Sequence, residues 1–350
     1  MTSRESLAGG VLMVGLPGTA LDRVTAKRIQ ELAPAGVILF RRNLASPEQT
    51  ALLLDELRCL LPSPTLLALD QEGGRVSRLE PWIGPTPAAA ALGRAGEGPA
   101  REFGKATGTA LSSLGFNVDF APVVDLCEPD AANGIGDRAW STDPGVASRL
   151  AGAFLAGLQG SGVAGCLKHF PGLGDSHVDS HVSLPTVDRS LERIEREDLR
   201  PYRELGPGAA CVMVGHGHYP ALDPRGQLPA SCSPRVVDGL LKGRLGYSGL
   251  VVSDDLEMGA VSERDREGAV AAESLAAGCD LLLFCHDLER AATAAKILTL
   301  RAERDPLVAR RLESAAAAVR RTAERWPAPV PRPEAWAAAG AAFEPFSNLA

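Results

Sequence analysis

The residues able to do chemistry are gathered in a few short segments. Asp70-Gln71-Glu72-Gly73-Gly74-Arg75 is followed closely by Arg78, and Asp125 precedes a loop holding Asp137-Arg138. Lys168-His169-Phe170-Pro171-Gly172 runs on into Gly174-Asp175-Ser176-His177-Val178-Asp179-Ser180-His181, and His216-Gly217-His218 and Ser253-Asp254-Asp255 complete the set. Five of the six histidines (His169, His177, His181, His216, His218) belong to these segments, which scattered structural histidines would not do. The mixture has no glycine-rich phosphate cradle and no G-x-S-x-G elbow, so it suits a polar ligand with many hydroxyls. Glycoside cleavage fits: a carboxylate attacks the anomeric carbon while a second group protonates the leaving oxygen. Asp254 and Asp255 are adjacent carboxylates. Two Asp-Ser-His triplets, Asp175 to His177 and Asp179 to His181, stand close together. The same residue types have structural uses, since an Asp after a strand caps the next helix and charged side chains pair beneath a barrel mouth. Gly73 and Gly74 allow a tight turn of the backbone.

These segments need elements to bring them together. Eight short runs rich in Val, Leu and Ile predict strands at Val11–Gly15, Gly36–Phe40, Thr65–Asp70, Val118–Val124, Ala164–His169, Cys211–His216, Gly249–Ser253 and Asp280–Cys285. The runs are continuously apolar rather than alternating, as parallel strands covered on both faces require. Between them, helical spacing predicts helices at Arg23–Leu32, Pro47–Leu60, Pro99–Leu114, Pro144–Gly160, Leu191–Leu205, Pro234–Leu241, Arg264–Ala277 and Leu288–Leu300, with a final one at Pro306–Arg325. Ser46-Pro47, Asp143-Pro144 and Ser233-Pro234 each place a capping residue before proline at the first helical position. Eight β-then-α units predict an α/β fold, a single (β/α)8 TIM-type barrel over residues 1–325, in preference to a doubly wound open sheet. A Pro- and Ala-rich C-terminal tail over 326–350 is expected to pack outside the barrel or fray. In such a barrel the working residues project from the C-terminal ends of the strands, which is where every segment above falls.

Composition removes other function classes. The 350 residues are 45% hydrophobic and 23% charged, ordinary for a globular protein, which argues against wholesale disorder. A net charge of −7 and an aromatic content of 5% argue against a nucleic-acid or polybasic membrane partner. No apolar run reaches the roughly 18 residues that span a bilayer, and the first ten residues carry Arg4 and Glu5 rather than a secretory signal. Seven cysteines, odd in number and without a C-x-x-C pair, predict reduced thiols in a cytoplasmic protein. No metal and no cofactor is expected.

Five segments, LDQEGGRVSRL (Leu69–Leu79), FAPVVDL (Phe120–Leu126), KHFPGLGDSHVDSHVSLP (Lys168–Pro185), PASCSP (Pro229–Pro234) and VVSDDLEMGAV (Val251–Val261), resemble glycoside hydrolase family 3 in order and register. The likeness is to its single-domain bacterial β-N-acetylglucosaminidases. It implies a retaining exo-β-N-acetylglucosaminidase acting on GlcNAc-containing muropeptides from peptidoglycan. Asp254 would be the nucleophile. His181 would be the acid/base with Asp179 orienting it, since that pair precedes Leu184-Pro185 as the family pattern requires. Asp70, Arg78, Arg138, Lys168 and His169 would bind the sugar. One position departs from the family: Leu173 stands where KHFPGHG has its second histidine, which implies a loop that packs or moves differently. Alternatives left open are a family 3 β-glycosidase or GlcNAc phosphorylase of other specificity, a metal-dependent barrel hydrolase using His216, His218, His169 and Asp254, and a sugar-binding barrel without catalysis.

Overall fold

The computed structural model describes residues 7–176, 184–262 and 268–349. Eight parallel strands close into a barrel: β1 (Leu12–Gly15), β2 (Gly36–Ile38), β3 (Leu66–Leu69), β4 (Val118–Asp119), β5 (Ala164–Phe170), β6 (Cys211–Val214), β7 (Leu250–Asp255) and β8 (Leu281–Phe284). Each strand pairs with its neighbours in sequence, and β8 returns to β1 through Leu12 opposite Leu282. The predicted barrel is therefore the observed one.

Burial on both faces explains the unbroken apolar runs. Met13, Ile38, Ala68, Cys166, Met213, Val252 and Leu283 fill the lumen, whereas Leu12, Val14, Val37, Leu67, Val212, Val251 and Leu282 face the helices. The strand period of two sends neighbours to opposite sides, and both sides are dry.

Helix starts follow local chemistry. Asp22 accepts from the Thr25 amide at 2.7 Å, Ser46 from Gln49 at 3.2 Å and Asp143 from Val146 at 2.8 Å, each satisfying an otherwise orphaned N–H. The helices Arg23–Leu32, Pro47–Leu60, Pro144–Gly160 and Pro306–Arg325 have the extents expected from the sequence.

Three expected elements differ. The run Val118–Val124 forms a strand only at Val118–Asp119, because Pro122 has no N–H for the ladder; Val123 rejoins through one bridge to Lys168. The segment Leu191–Leu205 is interrupted by a π turn at Ile194–Asp198, where the Leu199 amide reaches back to Ile194 O just before Pro201 would clash in an α ladder. The helix predicted at Pro234–Leu241 is a wide-turn π helix, Arg235–Arg244, containing the weak helix formers Gly239 and Gly243. A two-stranded hairpin, Gln71–Gly73 with Val76–Ser77, was not expected as strand. Its turn uses positive φ at Gly73 (100°) and Gly74 (52°), the tight turn the glycines imply.

The tail packs on the helix Glu97–Leu114. Phe343 and Phe346 meet Phe103 edge to face at 5.6 and 5.2 Å, and Trp336 meets Trp82 at 5.5 Å.

Candidate active site

A cavity of about 340 Å³ opens at the C-terminal end of the barrel. Asp70, Arg78, Arg138, Lys168, His169 and Asp254 all line it, so the described residues given a nucleophile or sugar-binding role come to one place, whereas Asp175, His216 and His218 do not line it. Asp179 and His181 lie outside the described residues, as does His177.

The floor is a chain of alternating charges. Arg78 Nη2 is 3.9 Å from Asp70 Oδ2, and Lys168 Nζ donates to Asp70 Oδ1 at 2.8 Å. The same ammonium lies 2.6 Å from Glu72 Oε1. Arg138 then grips Glu72 with two parallel bonds, Nε to Oε2 at 2.7 Å and Nη2 to Oε1 at 2.8 Å. The Lys168 side chain is 3% exposed and that of Glu72 6%. Burial pushes the Glu72 carboxyl up, but Arg138 and Lys168 outweigh it and hold the group well below the usual carboxylate range. Burial alone would lower Lys168; Asp70 and Glu72 instead raise it, so it is an ammonium. Arg138, at the end of the turn Gly136–Arg138, is fixed by Glu72 and the Gly134 carbonyl. Glu72 itself was not singled out from the sequence. Its place between two glycines' worth of turn and Gln71 hid that it faces both cations.

His169 is oriented by Asp125. Its Nδ1 lies 2.7 Å from Asp125 Oδ2, while Asp125 also accepts from the amides of His169 and Leu173. The buried carboxylate thereby sets the tautomer of the imidazole. Lys168 and His169 are adjacent yet both line the cavity, because the pairing of β5 with β6 shifts register between Leu167 and Phe170. Leu173 is buried against Gly215 and Gly217 at the end of β6, where the missing side chains make room for it.

At the end of β7 the two aspartates divide. Both line the cavity, and Asp254 Oδ1 accepts from the Asp255 amide at 2.8 Å. Asp255 is engaged by the backbone: its Oδ1 accepts from Glu257 at 3.0 Å and Cys285 at 3.3 Å, tying β7 to β8. Burial pushes its carboxyl up to about 6, with the charges of Glu257 and Asp254 adding to the rise.

His286, the sixth histidine, follows directly on β8 and was not among the candidates taken from the sequence. It nonetheless reaches the cavity mouth, stacked on Phe40 at 5.9 Å with Nδ1 3.3 Å from Asp255 Oδ2. Among the described residues, Asp255, Glu257 and His286 form the one group whose ligand atoms lie close enough to hold a metal. Both carboxylates there already accept backbone amides, Glu257 from His286 and Asp287. The His216-x-His218 pair is not arranged as a metal site. His216 has Nδ1 2.7 Å from Ser231 Oγ and Nε2 2.9 Å from the Asp255 carbonyl, so both ring nitrogens are engaged by protein. Burial lowers its pKa, which keeps the ring neutral.

The family whose sequence model matches residues 8–320 is described as "Glycosyl hydrolase family 3 N terminal domain". The chain belongs to glycosyl hydrolase family 3. It is a glycoside hydrolase, as the resemblance of its motifs implied. Over 286 residues it is 40% identical to a β-hexosaminidase of Xylella fastidiosa, covering 79% of this chain and 83% of that one. Among solved structures, NagZ from Neisseria gonorrhoeae in complex with N-trifluoroacetyl-D-glucosamine superposes with a TM-score of 0.83 at 31% identity, covering 97% of this chain and 98% of that one. A family 3 β-N-acetylglucosaminidase from Paenibacillus sp. str. FPU-7 gives 0.86 at 37% identity, with 93% of this chain covered and only 63% of that longer protein. Among the described residues, no helix of this family 3 chain is long and apolar enough to cross a membrane.

Proposed function

We propose that this family 3 hydrolase is a retaining exo-β-N-acetylglucosaminidase that removes terminal β-linked GlcNAc from peptidoglycan-derived muropeptides in the cytoplasm. The observation that carries the reading is at β7: Asp254 and Asp255 both line the cavity with Asp70, Lys168, Arg138 and His169, but the Asp255 carboxylate is taken up by the amides of Glu257 and Cys285. In the first step an Asp254 carboxylate oxygen bonds to C1 as the glycosidic C1–O bond breaks. The leaving oxygen takes a proton from the His181 imidazolium. In the second step water attacks C1, gives its proton to the now neutral His181, and releases Asp254 from the ester. Asp179 holds the His181 ring and favours its protonated form. The floor suits a sugar: Asp70 accepts from hydroxyls, Arg78, Arg138 and Lys168 donate to oxygens, and His169, its Nδ1 taken by Asp125, offers Nε2 to a hydroxyl. Preference for an N-acetylated sugar is supported by the β-hexosaminidase and NagZ relatives. Seven free thiols, six of them buried, favour a reducing compartment.

A panel of chromogenic β-glycosides, with and without phosphate, tests the reading. Hydrolysis of the β-GlcNAc member above all others is expected, and its phosphate independence separates hydrolysis from phosphorolysis. Turnover of β-glucosides alone, or of none, overturns it.

A further inference from the structure

We propose that Glu72 is the positioning residue of the sugar-binding floor, holding Arg138 and Lys168 so that the N–H groups it leaves unused point to ligand oxygens. The proposal rests on the reading of the cavity as a sugar site. Its observation is the geometry of one buried carboxylate with both oxygens engaged by cations. Oε1 receives Arg138 Nη2 and Lys168 Nζ, and Oε2 receives Arg138 Nε. Glu72 therefore acts on a ligand through these two cations.

The partners these cations have among the described residues leave some donors over. Arg138 has five N–H bonds; two go to Glu72 and one to the Gly134 carbonyl, which leaves two. Lys168 has three; one goes to Asp70 and one to Glu72, which leaves one. A ligand meeting these groups must supply acceptor oxygens, as hydroxyls and amide carbonyls do. Without the Glu72 charge, the Lys168 ammonium would be left with Asp70 and the Arg138 guanidinium with the charges of Asp125 and Asp70, and the fork geometry would be lost. The charged and titratable groups facing Lys168 are Asp70 after β3, Glu72 on the hairpin, Arg138 on the turn Gly136–Arg138, Cys166 on β5, and Asp119 on β4, whose carboxyl burial pushes up.

The test is calorimetric titration of the full chain with N-acetylglucosamine, comparing wild type, Glu72→Gln and Glu72→Asp from about pH 6 to about pH 10. Glu72→Gln is expected to bind the sugar about thirtyfold more weakly or worse at neutral pH. Its remaining affinity should also fall away at lower pH than in wild type, because Lys168 loses a carboxylate that stabilises its proton. Glu72→Asp keeps the charge on a shorter arm and should recover part of both effects. Unchanged affinity in Glu72→Gln overturns the proposal. So does a loss that is equal at every pH and is not recovered by aspartate, since that is general loosening. Should Glu72→Gln not fold, Glu72→Asp decides alone: a shifted pH curve supports the role and an unshifted one ends it. A wild-type chain that binds the sugar but cleaves no glycoside sinks the proposed function and leaves this comparison intact. One that neither binds nor cleaves sinks both.

Discussion

Asp254 and Asp255 are chain neighbours of the same chemical type, and the fold gives them different work. Asp255 is a staple between β7 and β8, so Asp255→Asn keeps an oxygen for the amides of Glu257 and Cys285. Asp254→Asn is expected to lower kcat on an aryl β-GlcNAc by about 10³-fold or more, and Asp255→Asn to cost far less; the reverse order would reassign the nucleophile. His181→Ala should harm substrates with poor leaving groups much more than activated aryl glycosides, since the latter need little proton donation. Equal losses on both would remove His181 from the acid/base role. Glu72 also sets an acid limit. Its folded pKa lies below the ordinary value of 4.5, so the folded state binds fewer protons than the unfolded chain. The stability it contributes is fully present above that value and is lost as pH falls below it. Between roughly pH 6 and pH 3 the Tm of wild type should therefore drop more than that of Glu72→Gln, although the variant starts lower by about 3–5 kcal/mol of stability. Parallel curves from thermal denaturation would contradict this.

At the scale of elements, the strand ends supply direction and the helices supply support. The helices Glu97–Leu114 and Pro144–Gly160 approach closely through glycines: a Cβ at Gly157 would lie 2.1 Å from the Arg101 carbonyl, and one at Gly104 2.2 Å from that of Phe154. Backbone cannot move aside as a side-chain tip can. Gly157→Val is expected to destabilise by about 3 kcal/mol, seen by circular dichroism as a Tm lower by several degrees. An unchanged Tm would mean that the two helices can slide apart without loss. Elsewhere proline decides the elements, shortening β4 at Pro122 and opening the π turn before Pro201.

For the whole molecule, closure of the barrel collects segments far apart in sequence at one mouth and leaves the tail on another side. Among the described residues, none of the tail lines the cavity. Phe346 contributes to an aromatic cluster with Phe103 instead. Phe346→Ala should cost about 3 kcal/mol through the void it leaves while leaving KM for a β-GlcNAc substrate unchanged. A raised KM would mean that the tail communicates with the mouth.

The sequence by itself determined what depends on neighbours along the chain. Caps at Asp22, Ser46 and Asp143 start helices, runs such as Leu66–Leu69 make strands, and polar residues placed directly after those runs must emerge at one end of a parallel barrel. That is why Asp70, Lys168, His169 and Asp254 were legible. What the tertiary structure decided was which groups hold them. Glu72 meets Arg138 across 66 positions, Asp125 meets His169 across 44, and His286 reaches Phe40 only because β8 closes onto β1 beside β2. Spacing along a chain fixes the direction of a side chain, but the partner it finds there depends on which distant strand end the closed barrel places opposite.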